Sequence, residues 1–318
     1  MVSILQEKEI LDIVADIDVV EAIEKGFIAY SKKKAIVPPV GELLFDKPKG
    51  EAHIKYGYIK DEEFYCIKIA SGFYGNTELG LSSSQGLMLL FSQKTGEPVS
   101  ILLDGGNLTN IRTAAAGAVA ARYFAPSNIE AIGILGTGIQ GRLQLQYLRN
   151  ITECKDVWVW DINHEAAKKY KEELGSDYRI NIASSTTEIA RNCNLIVSST
   201  PAQSPLLKKE DIRPGTHITA VGSDTSEKQE LDSNILCMAD IVISDSIDQS
   251  QTRGEIFQAR KNPDFDPAKV SELGSAALNK DLQRINNKQI SIVDLTGVAV
   301  QDIMIATAVY RSHKNPTV

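Results

Sequence analysis

Apolar residues recur at helical intervals near the start of the chain: Ile10, Ile13, Val14, Ile17, Val20, Ile23 and Phe27. That spacing predicts a helix over 7–34, stopped by Pro38-Pro39. From 40 to 103 the texture changes to short β-branched and aromatic runs, separated by Gly, Asn, Asp and Lys turns. Strands are predicted at 52–59, 63–71, 86–92 and 98–103. They pair antiparallel, because no helix lies between them.

A small-residue helix follows at 110–124, with Ala114, Ala115, Ala116, Gly117, Ala118, Ala120 and Ala121 allowing another element to approach closely. Pro126 ends it. Beyond 129, strands at 130–135, 156–160, 179–183, 194–198, 216–221 and 240–244 alternate with helices at 139–149, 164–174, 186–191 and 232–238. This rhythm predicts a doubly wound parallel sheet. A strand at 290–295 and a last helix at 298–312 close the chain, the helix returning to the first part. The fold class is therefore α/β. A Rossmann-type parallel sheet over 123–298 is joined to a discontinuous α+β domain made of 1–122 and 299–318.

Composition narrows the field. The chain has 318 residues, a net charge of −7 and a pI near 5.3, so no basic face for nucleic acid is implied. Lys32, Lys33 and Lys34 read as a solvated helix end. No apolar run reaches the roughly 18 residues of a membrane span. The first ten residues carry Glu7, Lys8 and Glu9 and lack the apolar core of a signal peptide; a cytoplasmic protein is predicted. Cys66, Cys154, Cys193 and Cys237 have no C-x-x-C spacing and read as reduced thiols. The four histidines show no metal-ligand spacing, so no metal is predicted.

The apolar run 129–135 ends in Gly136-Thr137-Gly138-Ile139-Gln140-Gly141. A G-x-G-x-x-G pattern between strand and helix places backbone N–H groups and a helix N-terminus against a pyrophosphate. Asp161 ends the next strand, where a carboxylate accepts ribose hydroxyls and repels a 2′-phosphate. NAD(H) is therefore predicted over NADP(H), with a solvent-facing strand end as the alternative for Asp161. Thr200 and Val221 stand at later strand carboxyl ends, which line the crevice of such sheets; Thr200 reads equally as a turn residue. Asp224, after the 216–221 strand, is either an acid/base at the crevice mouth or an exposed turn residue. Lys68 lies in an otherwise apolar strand, and the alternation leaves open whether it points inward. Arg112, in the first turn of the alanine-rich helix, opposes the helix dipole, which points to anion binding.

Together these segments resemble the ornithine cyclodeaminase/mu-crystallin superfamily over nearly the whole chain. The resemblance runs through Pro38-Pro39, Lys68, Gly80-Leu81, Arg112-Thr113-Ala114, the Gly136–Gly141 loop, Gly222-Ser223-Asp224, Lys228-Gln229-Glu230, Gly254-Glu255 and Thr296-Gly297-Val298-Ala299-Val300-Gln301-Asp302. It implies that Lys68 and Arg112 bind a substrate carboxylate, that Asp224 is the acid/base beside the reacting nitrogen, and that the first domain forms a homodimer interface. The family spans cyclodeaminases, an archaeal alanine dehydrogenase, imine reductases and the ligand-binding mu-crystallin. Three departures bear on the substrate. Val40 stands where a further basic clamp is usual, and Thr225-Ser226 replace a Pro-Gly. Lys55 occupies the position of an ornithine-binding glutamate, and it would repel a cationic tail and favour an anionic or small neutral substrate. The segment from Val37 to Glu42, with the strand His53-Ile54-Lys55-Tyr56, is similar to iminosuccinate reductases. The reaction implied is NAD(H)-dependent reduction of a small imino acid, or its reverse. A cyclodeaminase and a mu-crystallin-like binding protein are the alternatives. Whether His53 faces the pocket stays open.

Overall fold

The computed structural model describes residues 1–315, apart from the side chains of Tyr74 and Thr77. The chain divides into two units, one formed by Met1–Arg112 with the segment from Val298 onward, the other by Thr113–Gly297. The division falls inside a continuous helix.

In chain order the first unit begins with β1 (Ser3–Gln6), α1 (Glu7–Ala15), α2 (Val19–Ser31), β2 (Ala35–Ile36), β3 (Gly41–Phe45), β4 (Gly50–Ile59), β5 (Phe64–Gly72), β6 (Ser84–Ser92) and β7 (Pro98–Leu103), and α3 (Asn107–Phe124) leads out of it. The second unit contains β8 (Ile132–Leu135), α4 (Ile139–Leu148), β9 (Asp156–Trp160), α5 (His164–Leu174), β10 (Arg179–Ile182), α6 (Thr186–Asn192), β11 (Leu195–Ser198), β12 (Gln203–Leu207), β13 (His217–Ala220), β14 (Gln229–Leu231), α7 (Ser233–Met238), β15 (Ile241–Ser244), α8 (Glu255–Ala259), β16 (Val270–Glu272), α9 (Leu273–Leu278) and β17 (Ser291–Asp294). The helix α10 (Val300–Lys314) returns the chain to the first unit.

The helix expected over 7–34 is two helices. Asp16 caps the C-terminus of α1, and Asp18 caps the N-terminus of α2 by accepting a 2.9 Å bond from Glu21 N. In the first unit's sheet the order is β1-β7-β6-β5-β4-β2, with β3 also on β4. The strands predicted within 52–103 pair antiparallel as expected. Strand β1, too short to show a period in sequence, adds in parallel to β7. α10 packs across β4, β5 and β6 and against α2. It covers one sheet face, where Cys66, Met88, Leu90 and Leu102 are buried.

All strands of the main sheet of the second unit run parallel, in the order β10-β9-β8-β11-β13-β17-β15-β16. This is the doubly wound Rossmann arrangement that the alternation predicted. The winding reverses between β8 and β11, and a crevice opens at the carboxyl ends there. Leu135, Ile196, Ile218, Leu231, Ile235 and Ile292 form a buried core beneath it.

Candidate active site

In the first unit, register decides what the alternation left open. Lys55 on β4 pairs directly with Lys68 on β5, so both side chains share the face that α10 covers. They are 8% and 2% exposed. Two ammonium groups opposite one another repel, and burial makes the repulsion worse. The compensating carboxylate is Asp302 on α10. Its Oδ1 lies 3.3 Å from Lys68 Nζ and 3.1 Å from Arg112 Nε, and all three residues are buried. Arg112 is oriented further by donating a 2.8 Å bond from Nη1 to Gln301 Oε1. Asp104, buried nearby, accepts from Leu108 N at 2.8 Å. Burial holds the Lys68 ammonium below its ordinary range, while Asp302 pulls it up and Arg112 pushes it down. Lys68 and Arg112 thus share the one carboxylate of Asp302. Such a site gains from one further anion.

His53 lies on the same face of β4 as Lys55, two residues away. Its ring nitrogens are 3.6 Å from Glu42 and from Glu51. This pair of carboxylates beyond Lys55 was not anticipated from the sequence.

In the second unit, Gly136 follows β8 with φ +89° and donates its N–H to Trp160 O at 2.9 Å. A side chain at Gly141 would collide with Gly136 O, since its Cβ would lie 2.0 Å away. Gly138 caps α4, and a Cβ there would meet open space. Ile139 is exposed, and Gln140 and Gly141 continue the first turn. Asp161 follows β9 directly and is held by Thr137, whose N and Oγ1 both donate to Oδ2 at 2.8 Å, and by Asn163 N at 2.9 Å to Oδ1. A carboxylate has about four acceptor positions, so one remains on Oδ1. A pocket of about 320 Å³ is lined by Gly136, Gly138, Trp160, Asp161, Ile162, Ser199, Thr200, Pro201, Ala202 and Leu206. Ile162 is 92% exposed beside it. Arg142 reaches back to the loop carbonyls of Thr137 and Gly138 and pairs with Glu173 at 2.7 Å.

These features fit a dinucleotide. An anion would reach the N-terminus of α4 with no Cβ at Gly138 in the way. A ribose hydroxyl would find the remaining acceptor position of Asp161, and a 2′-phosphate would meet its charge. Val221, buried at the end of β13, and Thr200 after β11 stand at strand carboxyl ends. Asp224 is half-exposed two residues past Gly222. Its Oδ1 is 2.7 Å from Lys228 Nζ, and its carbonyl accepts from Arg253 Nη1 at 3.4 Å.

Sequence reasoning missed the parts played by Asp302, Gln301, Lys228 and Arg253. Three of them lie in motifs that were noticed. The partners of Asp302, Gln301 and Arg253 are distant in sequence, while Lys228 meets Asp224 four residues away, a pairing that the motif alone did not assign.

The model of the ornithine cyclodeaminase/mu-crystallin family matches residues 1–316. An uncharacterised cyclodeaminase of Sinorhizobium fredii is 35% identical, over 97% of this chain and 95% of its own. Among solved structures, an archaeal alanine dehydrogenase dimer with bound NAD aligns with a TM-score of 0.90 at 30% identity, covering 99% of this chain and 97% of that one. Iminosuccinate reductase of Paracoccus denitrificans in complex with NAD+ aligns with a TM-score of 0.87 at 30% identity, covering 98% and 97%. These relatives carry different activities at similar identity, so likeness alone does not choose among substrates.

Proposed function

The chain belongs to the ornithine cyclodeaminase/mu-crystallin family, and from that premise we propose that it is an NAD(H)-dependent oxidoreductase that reduces a small imino acid to the amino acid, or runs the reverse oxidation. The observation that carries this reading is the buried Lys68–Asp302–Arg112 cluster, whose excess of positive charge one carboxylate neutralises. Lys55, opposite Lys68, favours a substrate with a second carboxylate, such as iminosuccinate reduced to aspartate.

A bound nicotinamide supplies the hydride in the reductive direction. Gly136, Thr137, Gly138, Ile139, Gln140, Gly141, Asp161, Thr200 and Val221 hold that cofactor. Lys68 and Arg112 grip the carboxylate and fix the orientation of the α-carbon. Asp224 hands a proton to the imine nitrogen, which makes the carbon more electrophilic. The Lys228 ammonium then stabilises the carboxylate that Asp224 becomes. The first unit also supplies a dimer interface. On the sheet face away from α10, Tyr56, Ile67, Leu89 and Ile101 align across four strands by register, beside a stacked Tyr65–Phe91 pair. Such an apolar face fits a second copy of the chain.

A cyclodeaminase is the second reading. Glu42 and Glu51 beside His53 are suited to a cationic tail, and they work against Lys55.

The test is loss of NADH absorbance with fresh iminosuccinate, with pyruvate or oxaloacetate plus ammonium, and with a cyclic imine. L-ornithine runs in parallel with ammonia detection. NADH consumption on an imino acid is expected. Ammonia from ornithine without net NADH change would replace this reading with the cyclodeaminase one. Asp224→Asn is expected to cut turnover by about 100-fold with NADH affinity retained; wild-type turnover in that variant would remove Asp224 from the mechanism.

A further inference from the structure

We propose that Glu230 is a positioning residue, whose buried carboxylate ties together the two strand ends that wall the cofactor crevice and carry Asp224. Glu230 lies on β14 and is wholly inaccessible. Its Oε1 accepts from Thr200 N at 2.6 Å and Thr200 Oγ1 at 2.8 Å. Its Oε2 accepts from Ser198 Oγ at 3.0 Å and Gly222 N at 2.9 Å. Ser198 and Thr200 belong to the end of β11, and Gly222 follows β13 two residues before Asp224. One side chain therefore fixes the pocket wall at Thr200 and the base of the Asp224 loop. The approach is close: a Cβ on Gly222 would lie 2.2 Å from Thr200 O and 2.7 Å from Glu230 Oε2.

The backbone that carries Glu230 is itself held by a second buried acid. Glu255 accepts from Glu230 N at 2.7 Å and from Leu231 N at 3.1 Å. Four donors converge on Glu230, and among the described residues no cation bonds to it. This arrangement suits an acceptor-only group. It is a costly way to stabilise a fold, and an economical way to set two loops against each other.

The arm concerning Asp224 rests on the function proposed above; the arm concerning cofactor binding does not. Glu230→Gln keeps the shape but offers one acceptor oxygen, so either Thr200 N–H or Gly222 N–H must face an amide donor. NADH binding is followed by fluorescence titration, fitted for affinity and for the number of sites. Steady-state kinetics and thermal melting accompany it. The expected result is NADH affinity weakened by about 10-fold to 100-fold, kcat lowered by at least about 10-fold, and an unchanged KM for the carboxylate substrate. Ser198→Ala removes one donor and creates no clash, and it is expected to weaken NADH binding a few-fold in the same direction. If Glu230→Gln does not fold, this second variant decides. Wild-type NADH affinity with fewer sites would mean that Glu230 only supports folding, and the proposal falls. Wild-type affinity in Ser198→Ala together with a misfolded Glu230→Gln would also overturn it. A wild-type protein inactive on every imino acid defeats the proposed function instead, and leaves the NADH titration to judge this one.

Discussion

Lys68 is subject to opposing influences. Burial and the Arg112 guanidinium disfavour its charge, and Asp302 favours it, with burial the largest. Its proton is therefore lost at lower pH than from an ordinary lysine. On the proposed function, a carboxylate substrate would lose one of its two clamps as that happens. KM is expected to rise on an alkaline limb that begins below pH 10.5, the ordinary value. In Lys68→Arg the guanidinium stays charged beyond about pH 12, and the limb should disappear from the KM profile even though the altered geometry lowers efficiency. An identical limb in both proteins would show that another group titrates. The resemblance named Lys68 as a carboxylate binder, but its burial and its partner Asp302 were not legible in the sequence. The alternation around Lys68 has two apolar phases, and only the position of α10 decides which face is covered. Arg112 was singled out as a first-turn cation, but α3 begins at Asn107, so Arg112 lies in the second turn, and its place in the site comes from Asp302 and Gln301 rather than from the helix dipole.

At the scale of elements, the break between α1 and α2 shows what periodicity conceals. Ile13, Val14, Ile17 and Val20 keep a helical phase across it, and Ile10, Val14, Val20 and Ile23 are all buried. The stop was written in Asp18-Val19-Val20-Glu21, an N-cap pattern inside the apolar run. Asp18→Ala removes the bond to Glu21 N and is expected to cost about 1 kcal/mol, read from the urea midpoint. No change would mean that packing alone starts α2. The alanine-rich α3 behaved as its composition suggested: Ala114, Ala115, Ala116, Ala118, Ala120 and Ala121 are all buried, and Gln144 of α4 reaches in to donate to Thr113 O at 3.1 Å. Strands β1, β2 and β3 escaped notice, because two to five residues at a sheet edge carry too little pattern to register.

For the whole molecule, two buried groups tie stability to pH with opposite signs. His217 lies between Ser291 Oγ at 2.9 Å and Thr219 Oγ1 at 3.0 Å. Burial, with help from Arg284, lowers its pKa from 6.5 to about 3. The unfolded chain takes the proton first, so this group destabilises the fold as pH falls from 6.5 toward 3. Burial raises Asp294 from 3.8 to about 8, with Asp245 and Glu230 adding to the rise. Here the folded state keeps its proton longer. Stability is lost as pH rises from 3.8 to 8, at up to about 1.4 kcal/mol per pH unit for one group. Between 3.8 and 6.5 the two slopes oppose each other. Between 6.5 and 8 Asp294 acts without that opposition. The urea midpoint is expected to fall between pH 6.5 and 8, and to fall less in Asp294→Asn, whose amide mimics the protonated acid. Equal slopes would remove Asp294 from the account. At the same scale, Leu89→Lys puts a charge on the uncovered sheet face and is expected to convert a dimer to a monomer by light scattering. A monomeric wild-type protein would refute that interface.

Whatever depends on neighbours along the chain could be read before any folding. Strand-helix alternation, the Gly136–Gly141 turn and Asp161 at the end of the following strand are local, and a parallel sheet with a cofactor crevice follows from them. Which charges meet was settled by the packing of distant elements. Arg112 and Gln301 are 189 residues apart, and Glu230 gathers donors from two other strand ends. Periodicity encodes which face of an element is apolar. It holds no information on which distant carboxylate fills a buried cationic site, because that choice is made by packing and desolvation once the elements are in place.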